Sequence, residues 1–199
     1  MNTPNPKTPD FHHRRSIRLK DYDYSQPGAY FITICTHQRQ NLLGEIVDGV
    51  MILSEYGQIA QEEWQKTALI RGEIELDEFV IMPNHIHGII MIQEPVGAYH
   101  NKPVGGVGDA TVRAYGHTPL PSVDFESPSR TLGAMVRGFK SAVTTRVNQK
   151  HGTPGKPVWQ RNYWEHIIRD EKDLHNAQAY ILNNPVQWEN DELHSRGIT

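Results

Sequence analysis

Two histidines, His85 and His87, flank Ile86 in a stretch with β-strand character, while Tyr180 and Asn184 lie four residues apart in a stretch with helical character. A strand places residues i and i+2 on one face, so both imidazoles point the same way. A helix places residues i and i+4 on one face, so the phenol and the carboxamide are neighbours. If the two faces meet, they form a metal site of two imidazoles and one amide beside a tyrosine hydroxyl. That set suits metal-assisted phosphodiester cleavage through a covalent tyrosine intermediate.

The spacing of these residues is a weak signal by itself. The chain has 11 histidines, so a pair two residues apart arises readily by chance, and two half-exposed strand histidines are the alternative interpretation. Tyr180 has an alternative as well, because a tyrosine at the edge of a helix commonly packs against its neighbours. Tyr163 is a rival nucleophile, although an aromatic pair with Trp164 more often packs or stacks on a base.

Composition limits the class of protein. A length of 199 residues suggests one domain, or one domain with a long insertion. No secretory hydrophobic region opens the chain, and the longest apolar run, Gly88 to Ile92, is too short to span a bilayer. Cys35 is the only cysteine, so no intramolecular disulfide forms and a reducing cytoplasm is expected, with no membrane partner. We expect Cys35 to be a buried strand residue.

Charge is unevenly distributed along the chain. The net charge is −3, but residues 1–40 carry +3, residues 41–100 carry −8, residues 101–168 carry +5 and residues 169–199 carry −3. The acidic block is consistent with a solvated back face. Such segregation leaves room for a basic binding face on an acidic protein.

The first half of the chain predicts strands around one helix. Residues 29–36 are β-branched and aromatic and predict a strand. Residues 42–53 predict a hairpin that turns at Asp48-Gly49, and Ser54 is a suitable N-cap for a helix that reaches about Ile70. Residues 74–82 and 85–93 predict two further strands, joined at Pro83-Asn84.

The second half begins with residues 94–128, which are rich in glycine and proline and are either a functional insertion or a flexible loop. Ser127-Pro128 then predicts the start of a helix that ends near Gln149. A strand follows residues 157–163, and Asp170 caps a last helix that stops at Asn184 before Pro185.

This order predicts an α+β protein with a ferredoxin-like β-α-β-β-α-β antiparallel sheet. The additions are an extra hairpin, the long insertion and a C-terminal helix that carries Tyr180. We expect a basic N-terminal arm over residues 1–28, a single domain over residues 29–188 and a C-terminal tail over residues 189–199.

Three separated motifs resemble one known family. They are Met82-Pro83-Asn84-His85-Ile86-His87-Gly88, the run Trp159-Gln160-Arg161-Asn162-Tyr163-Trp164-Glu165-His166-Ile167-Ile168-Arg169, and Tyr180-Ile181-Leu182-Asn183-Asn184-Pro185. In this order they resemble the REP-associated tyrosine transposases, which belong to the single-tyrosine branch of the HUH nucleases (His-hydrophobe-His). The arm at Arg14-Arg15-Ser16-Ile17-Arg18 is similar to the N-terminal segment of that family.

The resemblance implies a role for each residue of the site. His85 and His87 would bind Mg²⁺ or Mn²⁺, and Asn184 falls where relatives place a third ligand. Tyr180 would attack single-stranded DNA, which leaves a 5′-phosphotyrosine and a free 3′-hydroxyl. The family recognises imperfect palindromic hairpins, and its transposing relatives often act as dimers, so hairpin DNA and a homodimer are the expected partners.

Candidate DNA contacts fall into two groups. The helix face that carries Arg137 and Lys140 is either a solvated surface or a phosphate-contacting one. The candidate phosphate contacts are Arg14, Arg15, Arg18, Lys20, Arg137 and Lys140, and the candidate stacking and base-edge contacts are Trp159, Gln160 and Arg161.

Two other functions compete with a DNA strand-transfer enzyme. The first is a catalytically silent protein that binds the same hairpins, and the intact His85, His87 and Tyr180 argue against it. The second is a metal-dependent hydrolase of another substrate, for which the sequence carries no pocket-forming motif. RNA binding through the same type of sheet is disfavoured because the aromatic signature of RNA-recognition sheets is absent.

Overall fold

A computed structural model describes residues 22–93 and 131–194 of the chain. The predictions for most of the N-terminal arm, for the insertion 94–128 and for the end of the tail lie outside these residues. The same applies to four candidate phosphate contacts, Arg14, Arg15, Arg18 and Lys20.

Six strands and three helices make up the described fold. They are β1 (Gly28–Cys35), β2 (Gly44–Val47), β3 (Val50–Leu53), α1 (Glu55–Ile70), β4 (Ile74–Met82), β5 (His85–Ile92), α2 (Leu132–His151), β6 (Trp164–Ile168) and α3 (Glu171–Asn183). Four strands form one antiparallel sheet in the order β4-β5-β1-β6, and β2 and β3 form a separate hairpin. The predicted α+β, ferredoxin-like sheet is confirmed, with β5 and β1 at its centre.

Local sequence explains several of the element boundaries. The β2–β3 hairpin turns through Asp48 and Gly49, which both have positive φ (51° and 74°), the backbone that a tight two-residue hairpin requires. The hydroxyl of Ser54 accepts a hydrogen bond from the Gly57 amide and so caps α1 as predicted. Asp170 caps α3 in the same way, through the amide of Asp173.

The predicted start of α2 is wrong by one turn. The helix begins at Leu132, and its N-cap is Thr131, whose hydroxyl accepts a hydrogen bond from the Ala134 amide. It ends two residues beyond the predicted Gln149, at His151, followed by Gly152 in the left-handed conformation (φ 63°).

Helices α1 and α2 cover one face of the sheet and enclose the main core. Alternate strand residues such as Ile32, Ile86 and Ile90 are fully buried against them. Trp64 of α1 lies directly over Gly88, where a Cβ atom would come within 2.4 Å of the indole ring. Glycine at this position therefore allows α1 to pack closely on the central strand.

Helix α3 packs on the opposite face. Ile181 of α3 is fully buried against Phe31 and Ile89, and a few partly buried apolar side chains surround this smaller cluster. Because strand residues alternate, His85 and His87 lie on the same face as Ile89, the face that α3 covers. None of the helices within residues 22–93 and 131–194 is long and apolar enough to cross a membrane.

Candidate functional site

The two imidazoles lie side by side at the beginning of the central strand β5. They pair across to Cys35 and Thr33 of β1, and their ring centroids are 4.4 Å apart. His85 is 0% exposed and His87 is 2% exposed. The alternative of two half-exposed strand histidines is therefore excluded, and Ile86 between them points into the main core as expected.

Hydrogen bonds orient both rings. The side-chain nitrogen of Asn84 donates to the carbonyls of Arg39 and Leu193, which leaves the Asn84 oxygen as the acceptor that faces His85. That oxygen lies 2.8 Å from His85 Nδ1, so Nδ1 carries the proton and Nε2 presents a lone pair. His87 Nδ1 lies 2.8 Å from the hydroxyl of Thr33. Such partners behind an imidazole are typical of metal ligands.

Burial keeps both imidazoles uncharged. It lowers the pKa of His85 to about 3, an effect that the nearby carboxamide of Asn184 partly opposes and the positive charge of Arg39 reinforces. The pKa of His87 is also lowered to about 3, mainly by burial and then by His85. At neutral pH both rings are therefore in the form that ligates a metal.

Helix α3 brings Tyr180 to the histidines. Its hydroxyl lies 3.5 Å from His87 Nε2, and its ring makes edge-on contacts with His87 and Phe31. Tyr180 is 46% exposed, so the phenol faces both the imidazoles and solvent. Burial raises its pKa, and the charge of Asp191 adds to this effect. The phenol is therefore protonated at neutral pH.

Asn184 follows α3 and reaches the same place. It is 3% exposed, and its side-chain nitrogen donates to Asp191 Oδ2 at 3.0 Å. Asp191 was missed by sequence reasoning, since it lies in an irregular segment where no period links it to Asn184. Asp191, His85 and His87 each present one ligand atom, and these atoms all lie within 4.8 Å of one another.

The donor set fits a divalent cation. Within the described parts of the chain, His85 Nε2 and Asn184 Oδ1 are buried and have no hydrogen-bond partner. An unpaired buried acceptor is costly, and these two lie beside a carboxylate, so a cation at this place would satisfy both of them. Amide and carboxylate oxygens are preferred ligands of Mg²⁺ and Mn²⁺, and imidazole nitrogen is a common ligand of transition-metal ions.

A cavity of about 670 Å³ opens onto His87, Asn184 and Asp191. The positively charged Arg39 and the acidic Asp191 and Glu192 lie in its wall, together with Tyr180 and the exposed indole of Trp164. Tyr163 also lines the cavity, but it packs against the main core with the Lys140 ammonium 5.8 Å from its ring centroid.

Two of the candidate DNA contacts occupy positions that differ from those expected. Trp159 is only 7% exposed and belongs to the main core, so its ring faces are not available to a base. The Lys140 ammonium donates to the carbonyls of Gln160 and Asn162 and anchors that loop, and its contact with phosphate stays a prediction. Gln160 lines the cavity, whereas Arg161 and Arg137 are exposed outside its wall.

Comparisons with known proteins identify the family. No family model matches the chain. An uncharacterized protein of Haemophilus influenzae is 44% identical over 183 residues, which cover 92% of this chain and 94% of the relative. A second protein of the same organism, described as "Putative REP-associated tyrosine transposase", is 30% identical over 83% of this chain and 74% of its own length. The chain belongs to the REP-associated tyrosine transposase family.

A solved structure supports the fold of this REP-associated tyrosine transposase family member. It is a REP-associated tyrosine transposase bound to a REP hairpin, and it superposes with a TM-score of 0.53 at 22% sequence identity. The match covers 86% of this chain and 74% of that chain. The four-stranded antiparallel sheet and its helices are thus those of a transposase fold, and the resemblance inferred from the three motifs is confirmed.

Proposed function

We propose that this protein is a metal-dependent, single-tyrosine HUH transposase that cleaves and rejoins single-stranded hairpin DNA through a 5′-phosphotyrosine. The observation that carries the proposal is the 3.5 Å approach of the Tyr180 hydroxyl to His87 Nε2 within one chain. The hairpin substrate is proposed from the solved relative, which is bound to a REP hairpin.

Tyr180 is the proposed nucleophile. Its oxygen forms a bond to the scissile phosphorus as the bond from phosphorus to the 3′ oxygen breaks; the phenol releases its proton and the departing oxygen takes one up. The covalent link conserves the energy of the cleaved bond, so a second 3′-hydroxyl can reverse the step without ATP. Because burial raises the pKa of Tyr180, the phenol depends on its surroundings to react at neutral pH.

His85, His87 and Asn184 are the proposed holders of Mg²⁺ or Mn²⁺. The cation would polarise the scissile phosphate and offset the charge that develops on it. The acidic residues in the cavity wall make this charge necessary, because Asp191 and Glu192 alone would repel a phosphate. Arg39 lies in the same wall and is the proposed protein contact to the phosphate.

The test is a covalent adduct. Full-length protein is incubated with Mn²⁺ and 3′-labelled single-stranded oligonucleotides that carry imperfect palindromes with randomised flanks, since the fragment 3′ of the cut is the one that stays on the tyrosine. Wild-type protein is expected to yield a labelled band that survives denaturation, and Tyr180→Phe is expected to lose the band while DNA affinity stays within about threefold. Tyr163→Phe is the matched control and keeps the band.

Each other outcome has a defined meaning. An adduct that persists in Tyr180→Phe would overturn the assignment of the nucleophile. Hairpin binding without an adduct in wild-type protein would favour the catalytically silent DNA-binding protein. An adduct that forms equally well in EDTA would remove the metal from the proposal.

A further inference from the structure

We infer that Asp191 is a carboxylate ligand of the proposed cation, and that Asn184 holds this carboxylate in place. The inference deepens the metal site of the proposed function and rests on it. It adds a residue that the spacing of the motifs does not indicate, since Asp191 lies in the irregular segment after α3.

Asp191 is buried close to both histidines. Its side chain is 4% exposed, and Oδ2 lies 4.0 Å from His85 Nε2. Its ligand atom and those of both histidines lie within 4.8 Å of one another. Ligand distances of about 2.0–2.2 Å allow two ligand atoms to lie up to about 4.4 Å apart, so shifts of a few tenths of an ångström would bring all three atoms around one small divalent cation.

No basic side chain within the described parts of the chain neutralises the buried carboxylate of Asp191. Its oxygens accept hydrogen bonds from the side chain of Asn184 and from the amide of Leu193. Within residues 22–93 and 131–194, no lysine or arginine forms an ion pair with it; its only ionisable partner at that distance is His85. A buried carboxylate usually has a cationic partner, because desolvation of an uncompensated charge is costly.

The tautomer of His85 also favours a cation beside Asp191. Asn84 fixes the proton on Nδ1, so Nε2 presents a lone pair toward the carboxylate of Asp191. Two acceptors that face each other across 4.0 Å repel unless a positive charge lies between them. A divalent cation between the two atoms would satisfy both at once.

Asn184 is then a positioning residue for Asp191. Its nitrogen donates to Asp191 Oδ2, while its oxygen remains buried without a partner among the described residues. The same side chain therefore fixes the carboxylate and directs a neutral oxygen into the site. Because Asn184 directly follows α3, it also links the ligand to the helix that carries Tyr180.

A carboxylate changes the chemistry of the site. Two imidazoles and an amide form a neutral set, whereas Asp191 adds one negative charge and a hard oxygen. Hard oxygen ligands favour Mg²⁺ and Mn²⁺.

The test measures Mn²⁺ binding to the full chain without DNA, by calorimetry and by the electron paramagnetic resonance signal of free Mn²⁺. Asp191→Asn and Asp191→Ala are expected to weaken binding at least tenfold, and Asn184→Ala to weaken it as well. Asp191→Glu is expected to recover part of the loss. Glu189→Gln, which removes a charge from the exposed part of the same segment, is expected to stay within about threefold.

Two results would count against the inference, and they differ. If His87→Ala loses Mn²⁺ while Asp191→Asn binds it like wild type, Asp191 is not a ligand and the proposed function stands. If neither variant changes Mn²⁺ binding, the metal site of the proposed function fails together with the inference. Circular dichroism and urea unfolding confirm that each variant is folded, and Asp191→Asn, which preserves shape, remains informative if Asp191→Ala unfolds.

Discussion

Two tryptophans on either side of the 160–163 loop have opposite environments. Trp159 is buried in the main core beside Phe139, with ring centroids 5.7 Å apart. Trp164 begins β6, is 45% exposed and lines the cavity that also holds Tyr180. Its ring is nearly parallel to that of His166 (6°) and edge-on to Phe31, so it is held in a fixed orientation. A rigid exposed indole beside the proposed nucleophile is a suitable stacking surface for a base.

The two indoles predict different mutant phenotypes. Trp164→Ala is expected to weaken binding of single-stranded DNA roughly 5- to 150-fold, which corresponds to about 1–3 kcal/mol for one stacked base, and to leave stability nearly unchanged. Trp159→Ala is expected to lower the free energy of unfolding by about 3–5 kcal/mol, because it leaves a cavity in the core. Fluorescence anisotropy with labelled oligonucleotides and urea titrations measure the two effects. Unchanged DNA affinity in Trp164→Ala would contradict the stacking role.

The buried imidazoles make the stability of the metal-free protein depend on pH. Burial lowers the pKa of His85 and His87 from 6.5 to about 3. Between these values the unfolded chain binds protons that the folded chain does not, so stability is fully present above about pH 6.5 and falls as the pH is lowered toward 3. The expected slope reaches about 1.4 kcal/mol per pH unit for each imidazole.

Urea unfolding in EDTA at pH 7, 6 and 5 measures this slope. His87→Gln, which removes one of the two imidazoles, is expected to reduce the slope of stability against pH by the contribution of one imidazole, about 1.4 kcal/mol per pH unit. Equal slopes in wild type and His87→Gln would contradict the burial of the His87 ring, because an imidazole exposed to water makes no such contribution.

Residue spacing predicts some members of the site and misses one. His85, His87, Tyr180 and Asn184 do converge, because strand and helix periods fix which side chains share a face. Asp191 could not be found in this way, since hydrogen bonds from Asn184 and the Leu193 amide determine its position. Their chemical roles stay predictions until the adduct and metal experiments are done.

At the scale of elements, α3 is attached more lightly than α1 and α2. It contacts the sheet through the small cluster around Ile181, and the side chain of Gln178 donates to Asp77 of β4. Helices with few buried apolar contacts open more readily than the core. The element that carries Tyr180 is therefore the one whose docking is most sensitive to a single side chain.

Ile181→Ala tests this docking. The variant is expected to increase amide exchange in α3, to leave exchange in α1 and α2 close to wild type, and to reduce adduct formation, because the phenol is no longer held at His87. Leu182→Ala is the control, since Leu182 is adjacent on α3 and 63% exposed. Hydrogen-exchange mass spectrometry with and without Mn²⁺ provides the measurement. Equal exchange in the two variants would contradict the importance of the Ile181 cluster.

Element boundaries follow from local chemistry wherever one signal dominates. Strand β1, strand β5 and helix α1 lie within a residue or two of the predicted limits, because β-branched runs and the Ser54 cap have no local competitor. Helix α2 is the exception, since Ser127-Pro128 predicted its start but the helix begins only at Leu132. The structure assigns the cap to Thr131.

At the scale of the whole molecule, part of the uneven charge along the chain is paired where α1 and α2 pack together. Arg146 of α2 forms ion pairs with Glu62 and Glu63 of α1, and Lys150 of α2 pairs with Glu55. The acidic block and the basic block that follows it thus meet on the outer face of the two helices. Exposed pairs of this kind contribute little to stability. They do show that part of the basic charge of residues 101–168 is engaged within the chain.

The histidines and Tyr180 also meet within one chain, which predicts how mixed proteins behave. A mixture of Tyr180→Phe and His87→Ala, each inactive alone, is expected to form no adduct, because neither protein combines an intact phenol with an intact histidine pair. Incubation of both proteins with labelled hairpin DNA and Mn²⁺ provides the measurement. Recovery of the adduct on mixing would mean that the chains of a homodimer exchange α3.

The side chain of Asn84 connects three regions that are distant in sequence. It holds the proton of His85 and binds the main-chain oxygens of Arg39 and Leu193. A change at this one amide alters the tautomer of a proposed metal ligand and the placement of the two segments that carry Arg39 and Asp191 at the same time. A double-mutant cycle between Asn84 and His85, whose side chains contact each other, should therefore give a coupling energy rather than additive losses, and the position has little freedom to vary independently of the segments it binds.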